Sequence, residues 1–224
     1  MVPIDCNNKK LNKKILTTII VFILFCGISL VSRWFLPLFI VVLSFGIAFP
    51  VLWARKTGNL TLIGFEQKNR KQALFWGLIT GLLVSVYCIF SYIMEGGGAF
   101  PPMLELQLAF GIPIWLLIMS PFQEFFFRGW MQPRIQEFSG KWIGLGITSF
   151  CFAIWHIFPP FEETKTSTIP ILTGSSIIII FVFGLMWGYA FQRTKNILAP
   201  WMAHAIVGIT MVVLGKMTFI TFST

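Results

Sequence analysis

The chain has 224 residues, of which 56% are hydrophobic and only 11% charged, with a formal net charge of +9. A soluble domain is about 25% charged, so charge this sparse cannot cover a water-facing surface, and a soluble globular fold is excluded. The positive excess is not a nucleic-acid footprint either. Lys and Arg sit in short clusters between apolar runs, where they set membrane topology and attract anionic lipid headgroups.

Taken in chain order, the apolar runs predict membrane spans over residues 15–32, 34–54, 73–94, 108–132, 141–158, 170–191 and 197–215. Each comes close to or exceeds the roughly 18–20 residues that cross a bilayer core. The first follows Lys9, Lys10, Lys13 and Lys14. It is longer than the roughly 7–15-residue apolar stretch of a cleaved signal, and so reads as an uncleaved first helix. The segment 95–102, with Gly96, Gly97 and Gly98, reads as a flexible outer connection. The whole chain, 1–224, is expected to be one integral membrane domain. It is an all-α, polytopic transmembrane helical bundle of about seven spans.

Loop charges fix the expected orientation. Thirteen basic residues fall on one side: the four N-terminal lysines, Arg55, Lys56, Lys68, Arg70, Lys71, Arg134, Lys141, Arg193 and Lys195. Only Arg33, Lys165 and Lys216 fall on the other, and Arg128 lies inside a span. The positive-inside rule then predicts a cytoplasmic N-terminus and an external C-terminus. Small residues four apart, Gly77 with Gly81, Gly184 with Gly188 and Ala199 with Ala203, mark faces where helix backbones can approach closely. Of the four cysteines, Cys26, Cys88 and Cys151 sit in apolar runs, and with Cys6 they make neither a metal-site nor a disulfide pattern.

Ionisable groups are costly in hydrocarbon, so the exceptions point to function. The fourth span holds Gln123, Glu124 and Arg128; the fifth holds His156 and the seventh His204, the two histidines of the chain. Glu124 and Arg128 are four apart, in the order that favours an ion pair on one helical face. Gln123 lies about 100° around from Glu124 and borders the same region. Pro121 removes a helix hydrogen bond, frees the Leu117 carbonyl and predicts a kink. At about 1.5 Å per residue, Glu124, His156 and His204 lie roughly 15, 22 and 10 Å from the basic side, depths that let them share one pocket. The aromatic run Phe125, Phe126 and Phe127 is expected to face lipid or packing neighbours.

A carboxylate with two imidazoles suggests hydrolysis. Glu124, His156 and His204 can bind zinc as a His₂Glu site with water in the open position. Alternatively, the carboxylate and one histidine activate water without metal while the other stabilises the oxyanion.

The run Gln123-Glu124-Phe125-Phe126-Phe127-Arg128-Gly129 resembles the E-E-x-x-x-R motif of the CPBP family, the CAAX prenyl proteases and bacteriocin-processing (Abi) enzymes. Phe152 to His156 resembles its F-x-x-x-H motif, and the segment from Gly184 through Ala199, Pro200 and Trp201 to His204 resembles its last block. The likeness covers roughly residues 121–208. It implies an intramembrane endopeptidase of metallo- or glutamate type in a bacterial plasma membrane. Its substrate would be a peptide or membrane protein, such as a prenylated peptide or bacteriocin precursor, cut near the cytoplasmic face. By resemblance, the Glu pair and His156 activate water, His204 with an Asn four residues on stabilises the oxyanion, and Arg128 orients the carboxylates. Two positions depart from the pattern. Gln123 stands where the family has its catalytic Glu, and Gly208 stands where it has the Asn. Those departures favour an alternative, a non-catalytic binding or immunity scaffold. A small proton-coupled transporter using Glu124 and the histidines is a third reading, against which the lack of an inverted repeat counts.

Overall fold

A bilayer core offers no water to backbone amides, so apolar runs close their hydrogen bonds internally as helices. The computed structural model describes residues 4–159 and 174–219, and within them it contains seven helices. We number them α1 (Ile4–Val31), α2 (Pro37–Lys56), α3 (Arg70–Met94), α4 (Leu104–Ser139), α5 (Lys141–Trp155), α6 (Gly174–Thr194) and α7 (Leu198–Val213). A short 3₁₀ turn, Leu60–Ile63, lies between α2 and α3.

Every predicted span corresponds to one of these helices, but the lengths differ. Five helices are long and apolar enough to cross a membrane, whereas α5 and α7 are shorter, at 15 and 16 residues. The predicted span 170–191 begins outside the described residues, and its helix runs on to Thr194. The fourth helix outgrows its predicted 108–132 range at both ends to reach 36 residues.

The extra length of α4 goes with irregular winding. Two stretches of it, Trp115–Met119 and Phe125–Met131, are π-helical, flanking the α-helical segment Ser120–Glu124. Such wide turns concentrate at functional sites. The disturbance expected at Pro121 is therefore a change of register. Ser120 N–H bonds to the Trp115 carbonyl five residues back. In that register Pro121 leaves the Leu116 carbonyl, not that of Leu117, without a helical donor. Trp201 of α7 supplies one, its indole Nε1–H donating to Leu116 O at 2.7 Å.

Residues 119–132 of α4 are all buried, so this helix is the centre of the bundle. The three phenylalanines 125–127 therefore do not face lipid. Phe125 meets Trp201 of α7, Phe126 stacks on Phe25 of α1 at 4.2 Å, and Phe127 meets Phe152 of α5 at 5.3 Å. The small-residue faces pack against one another: Gly77 and Gly81 of α3 lie directly on Ala199 and Ala203 of α7. A Cβ at Gly77 would stand 2.8 Å from the Ala199 carbonyl oxygen, so nothing larger fits there.

Polar contacts knit the two ends of the bundle separately. At one end Lys14 pairs with Glu137 at 2.6 Å, and Asn196 donates to the Glu66 and Lys68 carbonyls at 2.8 and 3.2 Å. At the other, Lys216 pairs with Glu95 at 2.7 Å, and Arg33 reaches the Pro159 carbonyl. The hydrogen bond from Lys216 holds the Glu95 carboxyl below its ordinary titration range. The clusters that count on the basic-rich side thus meet at one end, and Arg33 and Lys216 lie with the other.

Candidate active site

Three consecutive polar side chains on α4, spaced four apart, fix it against α6. Arg128 Nη2 donates to the Gly184 carbonyl at 3.3 Å, Gln132 Nε2 to the Gly188 carbonyl at 3.0 Å, and Gln136 Nε2 to Gln192 Oε1 at 2.6 Å. All three pairs are 56 residues apart in sequence, so the two helices run parallel in a constant register. Gln136 also donates to the Lys141 carbonyl at 3.0 Å, tying down the sharp turn at Gly140, which has φ +83°. The Gly184/Gly188 pair thus does more than let helices approach: its carbonyls are the acceptors.

This register delivers Arg128 to Glu124. Arg128 Nη1 lies 3.2 Å from Glu124 Oε1, and both side chains are almost wholly excluded from solvent. A buried charge is tolerable only when paired and hydrogen-bonded. The guanidinium meets that demand with Glu124, the Gly184 carbonyl and the face of Phe152, whose ring centre is 4.0 Å away.

Glu124 Oε1 has a second partner, His204. The imidazole Nδ1 donates to it at 2.7 Å, joining α4 to α7. The carboxylate can only accept, so in the neutral ring the proton sits on Nδ1 and Nε2 is basic. Aromatic rings hold the imidazole from two sides: Trp187 stacks on it at 4.5 Å, and Trp115 lies 5.7 Å away.

His156 does not touch Glu124 in any hydrogen bond among the described residues. Its Nδ1 donates to the Phe152 carbonyl at 2.8 Å, one helical turn back. The Phe152 ring neighbours both histidines, edge-on to His156 at 4.6 Å and to His204 at 6.0 Å. The F-x-x-x-H spacing therefore has a local cause: the Phe supplies the carbonyl that fixes the His tautomer and the ring that carries Arg128.

Gln123 is buried, 2% exposed, with its amide Nε2 donating to the Met119 carbonyl at 3.3 Å. Its Oε1 has no hydrogen-bond partner among the described residues, and neither has Glu124 Oε2. The expected pocket is thus a closed, packed contact of Glu124, Arg128 and His204, with His156 against the Phe152 ring.

For a shared zinc ion the atoms left over are Glu124 Oε2 and the Nε2 of each histidine, since Glu124 Oε1 and both Nδ1 atoms are taken up by hydrogen bonds. Among the described residues no three His, Cys, Asp or Glu side chains stand in a metal-holding arrangement.

Sequence reasoning did not find Trp115, Trp187 or the Gln132 and Gln136 rungs. Gly208 carries the reason for Trp115: a β-carbon built at 208 would overlap the Trp115 indole. Spacing by four from Arg128 was the available signal for the glutamines.

Residues 105–210 match the family model described as type II CAAX prenyl endopeptidase Rce1-like. No curated protein and no solved structure gives a significant match to the chain.

Proposed function

We propose that the chain, whose residues 105–210 match the type II CAAX prenyl endopeptidase family model, is an intramembrane endopeptidase working through Glu124, His204 and His156. The observation that carries this reading is the buried hydrogen bond from His204 Nδ1 to Glu124 Oε1, which leaves the second carboxylate oxygen without a partner among the described residues.

Glu124 Oε2 is then the base. It takes a proton from water as the water oxygen bonds to the carbonyl carbon of the scissile peptide. When the C–N bond breaks, that proton passes to the leaving nitrogen. His204 and Arg128 hold the other oxygen, so the carboxylate does not rotate during transfer. His156, with Nδ1 tied to Phe152, offers Nε2 as a second basic atom beside Arg128. Gln123 is a neutral amide and cannot replace the carboxylate found there in the family pattern.

The proposed substrate is a prenylated CAAX peptide or a bacteriocin precursor, held in a bacterial plasma membrane. Cleavage is toward the cytoplasmic face, where the N-terminus also lies. The rival reading is a non-catalytic binding or immunity scaffold of the same family. Gln123, Gly208 and the complete burial of Glu124 favour it.

One comparison separates the two. The full chain in detergent is offered a farnesylated CAAX peptide and a bacteriocin-leader peptide. Gln123→Glu is expected to raise turnover on the order of 10²-fold, the scale of one general base, because paired carboxylates can share a proton. His156→Ala is expected to abolish cleavage. Equal rates for both forms at position 123 would assign the chemistry to Glu124 alone. No cleavage by either, with the fold intact, would favour the scaffold.

A further inference from the structure

Buried indole N–H groups normally find an acceptor. Two in this bundle do: Trp155 donates to Ser29 Oγ at 2.9 Å and Trp201 to the Leu116 carbonyl at 2.7 Å. The two that flank His204 do not. Trp115 and Trp187 are 5% and 2% exposed, and the Nε1 of each has no partner among the described residues. Leaving a buried donor unmet opposes folding, so both positions call for a ligand acceptor.

Their surroundings say which. Both rings lie against the imidazole that holds Glu124, from α4 and α6 respectively. Trp115 occupies its place only because residue 208 is glycine; any β-carbon there would collide with the indole. Nearby on α4, Glu124 Oε2 and Gln123 Oε1 are acceptors equally without donors. Free donors on the two rings beside His204 and a free oxygen on the carboxylate that His204 holds match a group that offers both, and a peptide bond does so with one C=O and one N–H. Trp130 has the third unmet indole N–H, but its ring packs on Phe49, Phe126 and Arg134 rather than on His204.

We propose that the indole N–H groups of Trp115 and Trp187 bind the carbonyl oxygen of a peptide substrate and hold it as negative charge develops there. The proposal rests on the protease reading for its catalytic half and stands without it for its binding half.

The full chain, carrying ¹⁵N-indole tryptophan in micelles, is titrated with a farnesylated CAAX peptide in which a phosphinate replaces the scissile bond. The Nε1–H resonances of Trp115 and Trp187, assigned by their loss in Trp115→Phe and Trp187→Phe, are expected to move downfield; Trp130 is the internal control. Unmoved resonances overturn the proposal. In the cleavage assay each Phe variant is expected to lose about 100-fold in kcat, with KM within about twofold, the signature of a lost oxyanion donor. Unchanged kcat overturns the catalytic half. Should Trp115→Phe fail to fold, β-(3-benzothienyl)alanine at 115 keeps the ring shape and removes only the N–H. Shifted resonances with no cleavage by the unmodified chain would sink the protease reading and leave the donor assignment standing.

Discussion

Glu124 and His204, eighty residues apart in the chain, meet through a 2.7 Å hydrogen bond in the middle of the bundle. The carboxylate oxygen that receives it also faces Arg128 at 3.2 Å. One atom therefore joins α4 to α7, and through Arg128 to α6.

Arg128 is expected to be the most costly single residue of the site to remove. Arg128→Ala leaves a buried carboxylate uncompensated and is expected to cost about 3–5 kcal/mol of stability. Arg128→Lys keeps the charge but loses the fork that reaches Glu124 and Gly184 together, so its loss should be intermediate. Unfolding in mixed micelles, followed by tryptophan emission, measures both. An alanine variant as stable as the parent would show that Glu124 is not held by Arg128.

The polar rungs between α4 and α6 predict a cross-linking pattern. In a background free of native cysteines, Gln136→Cys with Gln192→Cys should be bridged by a short bifunctional thiol reagent, because the two glutamine side chains meet tip to tip at 2.6 Å. Gln132→Cys with Gln192→Cys, one turn out of step, should not. The reverse pattern on denaturing gels would refute the parallel register. Gln132→Leu, which removes the middle rung, is expected to cost about 0.6–1.7 kcal/mol, the range of interhelical hydrogen bonds in membranes.

Orientation is tested by labelling single cysteines in intact cells. Asn59→Cys, in the connection beside Arg55 and Lys56, should react only once the membrane is made permeable. Gly98→Cys, in the opposite connection, should react from outside with a reagent that cannot cross. Outside reaction at 59 would invert the assignment drawn from thirteen basic residues against three.

Much of this was legible in the sequence, for reasons that can be named. Helical content followed from apolar length, because backbone in lipid has no other option. The Glu124–Arg128 pair followed from spacing on one element. That Glu124 and His204 share a depth followed from counting residues along an axis. What counting along an axis cannot supply is direction around it. His156 has a compatible depth yet makes its Nδ1 hydrogen bond to Phe152 and none to Glu124 among the described residues, and depth did not choose between lipid and packing neighbours for residues 125–127, which are enclosed. The π-helical turns add to this, since they shift the phase that a 3.6-residue period assumes. Trp115 was invisible for another reason: its role depends on a side chain that Gly208 lacks.

The uneven winding of α4 has a consequence for how this chain tolerates change in length. A π-helical turn accommodates one residue more than an α-helical one, so 115–119 holds slack that regular winding would expel. Deleting one residue there would let the helix rewind as an ordinary α-helix, with no polar group lost. The two halves of α4 would keep nearly their present orientation, because the wide turn is what absorbs the additional residue. With Gln132 and Gln136 clamped to α6, the half carrying Glu124 would stay in place. A one-residue gap in this stretch is thus a milder change than the same gap in a regular turn of α4, which would rotate one half against the other by about 100°.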